Sequence, residues 1–324
     1  HIDFTAEVER SLRVLDGAVM VFDGRTGVEA QSETVWHQAN KYNVPRICVF
    51  NKLNLVGADF DGSVESIRER LGANAWPIQL PLGLGHDLRG AIDLIEEKAY
   101  VYDGIEDNEL KEIDIPEEYQ EKVKKYREKL VEYVAETDEE ILEKYLEGKE
   151  ISIQELKQAI RKGVINNEFF PIMGGDSRTV STQLILDAIV RYLPSPEDLP
   201  PIKGTNPQTG EEEKRVCEKD QPFSALLFKI QTDPHVGKLS YLRIYSGTLE
   251  GSSQVYNATN GQRQRIGRLL LMHADKREGI DEAYAGEIVA AIGLDDSATG
   301  NTICQEDKPI VFEDIEFPEP VISI

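Results

Sequence analysis

The sequence predicts an α/β domain built on a parallel sheet, broken by an inserted α+β subdomain and followed by an all-β barrel. Three observations carry that prediction. Helix-period segments alternate with short apolar runs over residues 1–72. The alternation then lapses and resumes near residue 168. Beyond a stretch rich in Pro and Gly, the hydrophobic period drops to two.

The first helix is TAEVERSLRVLD, with apolar residues at helical spacing, and DGAVMVFD reads as a buried strand bounded by acids and glycine. VEAQSETVWHQANKY is a second helix and VPRICVFNK a second buried strand. GSVESIRERLG is helical, with Gly72 placed to end it. Helices alternating with fully apolar strands call for a sheet covered on both faces. Such sheets bind ligands at the carboxyl ends of their strands, here near Asp23 and Asn51.

Residues 73–167 have a different texture and read as the insertion. AWPIQLPLG and AIDLIEEKAYVY are strand-like, and acidic helices follow. PEEYQEKVKKYREKLVEYVAET opens on proline and carries many Glu/Lys neighbours, so one face is solvated. DEEILEKYLEG and SIQELKQAIRKG are two more helices, the second beginning with a Ser-x-x-Glu capping box. FFPIMGG and TQLILDAIVRYL resume the α/β pattern over 168–197. Residues 198–218, dense in Pro, Gly and charge, read as a linker. Residues 219–316 alternate with period two, as in a barrel, and 317–324 start a connection onward.

Composition narrows the function classes. The net charge of −23 speaks against a general nucleic-acid binder, and no apolar run is long enough to cross a bilayer. The stretch from Lys219 to Ile303 is close to neutral and contains the basic run Arg263, Arg265 and Arg268, open to two readings: RNA contact or ordinary solvated charge. Three scattered cysteines lack metal-ligand spacing and fit a reducing compartment, hence cytoplasm. Cys48, inside RICVF, reads as a buried thiol. No metal site is expected within the chain.

Several stretches resemble elongation factor G, a translational GTPase. They are HIDFTAEVERSLRVLDGAVMVFD, the VEAQSETVWHQANKYNVPRICVFNK segment, YLPSPEDLPP, DPHVGKLSYLRIYSG, GRLLLMHADKREGIDEAYAGEIVAAIGL and FPEPVIS. The resemblance runs in order over almost the whole chain. It implies a P-loop-GTPase-type sheet whose N-terminal part is missing, the insertion, and a translation-factor barrel. It implies ribosome-dependent GTP hydrolysis driving tRNA–mRNA translocation, with GTP/GDP and Mg2+ as ligands. It implies contact with ribosomal RNA and the ribosomal stalk protein, and with the tRNA–mRNA complex through later domains. Neither a membrane nor DNA is expected as a partner.

The resemblance also distributes roles. His1 falls where the family carries the histidine that orients the attacking water. No Gly-x-x-x-x-Gly-Lys-Ser/Thr occurs in the chain. The family places that phosphate loop upstream, so this chain alone is expected neither to bind GTP tightly nor to hydrolyse it. The family's Asn-Lys-x-Asp reads Asn51-Lys52-Leu53-Asn54 here, and its Ser-Ala loop aligns with Gly175-Asp176. An Asn at position 54 sets an NH2 group against a guanine donor and suits xanthine better. Gly174 and Gly175 could equally form a plain turn after a strand. The alternative function is a ribosome-associated binding protein with a decayed nucleotide site. His235 stands where the family is usually aromatic, a change without a mechanism. Loss of the sheet's first strand is expected to leave an uncovered edge and a self-associating chain.

Overall fold

A computed structural model of the chain describes residues 5–312 apart from 105, 107, 108, 235, 274 and 275. The described residues fall into two compact units. One is Leu15–Pro194; the other joins the residues up to Val14 with those from Ser195 onward.

Helix α1 (Thr5–Val14) belongs to the second unit and is taken up with it below. The first unit then runs β1 (Ala18–Asp23), α2 (Ala30–Lys41), β2 (Arg46–Asn51), α3 (Phe60–Leu71), β3 (Ala75–Pro77), β4 (Gln79–Leu82), β5 (Gly90–Asp93), β6 (Lys98–Val101) and β7 (Lys111–Ile113). It continues through α4 (Glu117–Ala135), α5 (Glu139–Leu146), α6 (Ile153–Ile165), β8 (Phe170–Gly174) and α7 (Thr182–Tyr192).

Strands β1, β2, β8 and β3 form an all-parallel sheet in that spatial order, with β1 at one edge. The central strands are buried along almost their whole length, which is why RICVFN and FPIMG show no polar alternation. Phe50 fixes the middle of this core, 5.6 Å from the Phe22 ring and 5.9 Å from Phe60. In the register, Asp23 lies opposite Asn51 and Phe50 opposite Gly174. The carboxyl ends of three strands are therefore level, and whatever follows them is gathered at one rim.

The insertion is a second, antiparallel sheet, β4-β5-β6-β7, with helices α4, α5 and α6. Trp76 ties α4 to the first sheet: its ring stacks on Tyr126 at 5.1 Å and its indole N–H donates to the Tyr126 carbonyl at 2.9 Å. The expected punctuation is present. Gly72 ends α3 in the left-handed conformation at φ +60°. Ser152 and Glu155 form the capping box of α6. Cys48 is fully buried, and burial pushes its thiol up to about 12.

The second unit adds β9 (Ile202–Thr205), β10 (Glu212–Arg215), β11 (Ser224–Asp233), β12 (Gly237–Ser246), β13 (Thr248–Glu250), β14 (Gln254–Asn257) and β15 (Gln262–Arg265). It closes with β16 (Arg268–His273), β17 (Lys276–Ile280), β18 (Glu282–Tyr284), β19 (Ile288–Ile292), β20 (Thr302–Cys304) and β21 (Val311–Phe312). An eight-stranded antiparallel sheet, β15-β14-β20-β11-β12-β19-β16-β17, builds a barrel-like body around Leu227, Leu242, Ile244, Leu269, Val289 and Ile303.

Two features differ from the sequence reading. Residues 198–218, expected to be a linker, contain the β9–β10 hairpin, which pairs further with β21. Turn chemistry in GTNPQTGEEE disguised it: Asn206 caps a tight turn, accepting the N–H groups of Gln208 and Thr209 between two charged strands. Helix α1, read as part of the sheet domain, makes its contacts in the barrel unit. Val14 joins Leu226 and Phe228 in one cluster, and Arg13 reaches the Tyr245 hydroxyl at 3.5 Å.

Candidate functional site at the strand ends

The rim where β1, β2 and β8 end is organised by Asn51. Its Oδ1 accepts the backbone N–H of Lys52 at 2.8 Å and that of Ser177 at 3.0 Å. One amide thus ties the loop after β2 to the loop after β8. Backbone bonds reinforce the tie: Leu53 N–H donates to the Gly175 carbonyl at 3.2 Å, and Gly175 N–H donates to Phe50 at 2.9 Å.

Beneath the rim, Leu53 is fully buried. A Cβ added at Gly24 would lie 2.4 Å from one Leu53 methyl, and one added at Gly174 would lie 2.6 Å from the other. Leu53 is therefore a plug held between two glycines, each directly following or ending a strand. Glycine is required at both places by close approach.

Lys52 takes φ +66°, an uncommon conformation for a residue with a side chain. The turn closes with Leu55 N–H donating to the Lys52 carbonyl at 3.1 Å, which places Asn54 at the turn's third position, half-buried. Lys52 Nζ pairs with Asp23 at 2.9 Å. Asp23 also receives Arg25 in a two-pronged contact at 3.0 and 3.2 Å. Arg25 first, then Lys52, hold the Asp23 carboxyl well below the usual carboxylate range.

In the second loop, Asp176 is buried while its carboxylate grips Arg178 at 2.8 and 3.0 Å. That guanidinium lowers the Asp176 carboxyl. Thr179 Oγ1 donates to the Asp176 carbonyl, and its hydroxyl meets that of Ser181 at 2.7 Å, so the loop enters α7 as a closed turn.

Asn51, Lys52, Asn54, Gly175 and Asp176 are thus brought to one rim by the fold. Strand-end polar side chains beside a fixed, buried plug can read the edge of a planar ligand. A sequence profile matches residues 1–195 to the elongation factor Tu GTP binding domain. The chain belongs to that family.

A second profile, elongation factor G domain 2, matches residues 222–306. Among solved structures, one from Thermus thermophilus superposes with a TM-score of 0.79 at 29% sequence identity, over 99% of this chain. The present chain spans 46% of that one's length. The elongation factor Tu-type domain carries guanine-nucleotide binding as its general property, and the second profile adds a translation-factor barrel.

The other residues singled out from sequence do not join this rim. His1 and His235 lie outside the described residues. Arg263 is bound two-pronged by Glu306, with contacts of 2.7–2.9 Å, while Arg265 and Arg268 are exposed. Among the described residues no helix is long and apolar enough to cross a membrane, and no group of three or more His, Cys, Asp or Glu could hold a metal ion. Sequence reasoning missed Leu53, Gly24 and Arg178. Glycine directly after two apolar strands was the available signal for the first two.

Proposed function

We propose that this chain is the nucleotide-base-binding half and barrel of a ribosome-dependent GTPase of the elongation factor G type, one that promotes tRNA–mRNA translocation. The observation that supports the reading most is Asn51, whose Oδ1 ties the two loops that would hold the base. Asn51 braces, the Lys52 stem lies against the base plane, and Asn54 faces its donor edge. Gly175 and Asp176 form the opposite wall. His1 would orient the attacking water, and Mg2+ would neutralise phosphate charge in the longer protein.

Asn54 offers one acceptor and one donor where an aspartate offers acceptors only. Losing a charge-assisted hydrogen-bond pair costs roughly 1.5–3 kcal/mol, on the order of 10–100-fold in affinity. The complete protein is therefore expected to favour xanthine over guanine nucleotides. This chain alone, which contains no phosphate-loop motif, is proposed not to turn over GTP. The proposed setting is the cytoplasm, with ribosomal RNA, the stalk protein and the tRNA–mRNA complex as partners. Arg265 and Arg268 are better placed for RNA than Arg263, which Glu306 already neutralises.

A second reading rests on one observation. Asp176 and Arg178 close the second base loop on each other, which suits a ribosome-binding protein whose nucleotide site has decayed. The deciding experiment is ribosome-stimulated hydrolysis of GTP and XTP by the full-length gene product. Stimulated turnover supports the first reading. Ribosome binding indifferent to either nucleotide supports the second.

A further inference from the structure

The insertion touches both loops of the strand-end rim. The connection from β4 to β5, residues 83–89, carries one 3-10 turn, Gly85–Asp87. The Gly85 N–H donates to the Leu53 carbonyl, in the loop after β2, at 2.8 Å. Tyr102, just past β6, is 6% exposed. Its hydroxyl meets the Thr179 side chain, in the loop after β8, and lies near the Asp176 carboxylate. Burial raises the phenol, so it stays protonated and able to donate at neutral pH.

The Leu53 contact bears on Asn54. That carbonyl belongs to the planar peptide unit joining Leu53 to Asn54. The preceding peptide is already held, because the Leu53 N–H donates to the Gly175 carbonyl at 3.2 Å. With Gly85 in place, the backbone on both sides of Leu53 is hydrogen-bonded, and the half-buried Asn54 side chain departs from a fixed plane. Thr179 acts alike on the second loop, where its Oγ1 donates to the Asp176 carbonyl at 2.8 Å. Asn51 joins the two loops to each other; the insertion holds each of them to a third element.

The turn is itself anchored. Gly83 N–H donates to the Tyr119 hydroxyl of α4 at 3.0 Å, and Tyr102 N–H donates to the Arg89 carbonyl at 3.0 Å. Gly83 takes φ +88°, and a Cβ there would lie 2.0 Å from the Asp87 carbonyl oxygen, so the turn has little play.

On the base site proposed above, we infer that Tyr102 and the Gly83–Asp87 turn are positioning groups for base recognition. The insertion, as well as the sheet, sets how Asn54 and the Asp176 loop meet a purine. Coupling of this kind is reciprocal, so a bound base tightens the turn in return.

The test is a titration of the 15N-labelled chain with XDP and GDP, on the parent, Tyr102→Phe and Tyr119→Phe. Tyr145→Phe, whose side chain is exposed on α5, is the control. Tyr102→Phe removes the Thr179 contact, and Tyr119→Phe loosens the turn from α4, so one misfolded variant does not decide the outcome. Each is expected to bring the ratio of XDP to GDP affinity about 2- to 10-fold closer to one, the worth of one hydrogen bond, with the control unchanged. A general loss of stability would weaken both nucleotides alike and leave the ratio as it was. XDP is also expected to slow amide exchange at Gly85 in the parent. Variants that keep the parent's ratio, or Gly85 exchange indifferent to XDP, would overturn the inference and leave the base site standing. A parent whose amides at 51–54 and 175–178 respond to neither nucleotide would overturn the base site itself, and the inference with it.

Discussion

The side chain of Asn51, at the end of β2, accepts the backbone N–H of Ser177, 126 positions later, at 3.0 Å. This bond makes the rim a single structure rather than two loops. It requires a side-chain carbonyl at a fixed height, which the parallel register of β2 with β8 provides.

Asn51→Ala removes the acceptor for two backbone donors, those of Lys52 and Ser177. The expected cost is about 1–3 kcal/mol, read as a lower urea midpoint with unchanged slope. Amide exchange at Ser177 is expected to accelerate more than exchange in the barrel. A variant as stable as the parent, with Ser177 still protected, would show that the backbone bonds suffice.

Leu53→Ala empties the space between Gly24 and Gly174. A fully buried leucine cut to alanine costs about 2–5 kcal/mol where the walls cannot collapse, and the β1 and β8 strand ends are rigid walls. Gly174→Ala attacks the same contact from the other side, because its Cβ would also lie 3.2 Å from the Phe50 carbonyl. Denaturant titration of both variants checks the pair. Near-parent stability in both would mean that the plug is not packed as described.

Asp23 supplies a pH dependence with a definite sign. Its folded pKa is depressed below 3.8 by Arg25 and Lys52. Its contribution is therefore complete above the unfolded value and disappears as pH falls through the folded one. The difference in unfolding free energy between the parent and Asp23→Asn is expected to be constant from about pH 5 to 7 and to close below about pH 4. A gap that widens toward acid would reverse the assignment.

Thiol accessibility tests the two cores independently. Cys48 and Cys304 are buried, and burial raises both thiols, whereas Cys217 is half-exposed. A soluble disulfide reagent is expected to modify Cys217 first in the native chain and all three in urea. Rapid native labelling of Cys48 would contradict the packing of β2.

Much of this was legible in the sequence because it is local. The apolar run ICVF ending in Asn51-Lys52 announces a buried strand with a polar rim, and Ser152 with Glu155 announces a helix start. The hairpin at 202–215 was not legible, because charged strand residues and a Pro/Gly-rich surround mimic a linker. Nor was the Arg263–Glu306 pair, whose partners are 43 positions apart.

The most direct test of the base site is a titration of the 15N-labelled chain with millimolar GDP and XDP, followed by amide chemical shifts. Amides in 51–54 and 175–178 are expected to move, more for XDP than for GDP at equal concentration. Shifts confined to other regions, or none with either nucleotide, would contradict the placement of the base at the ends of β2 and β8.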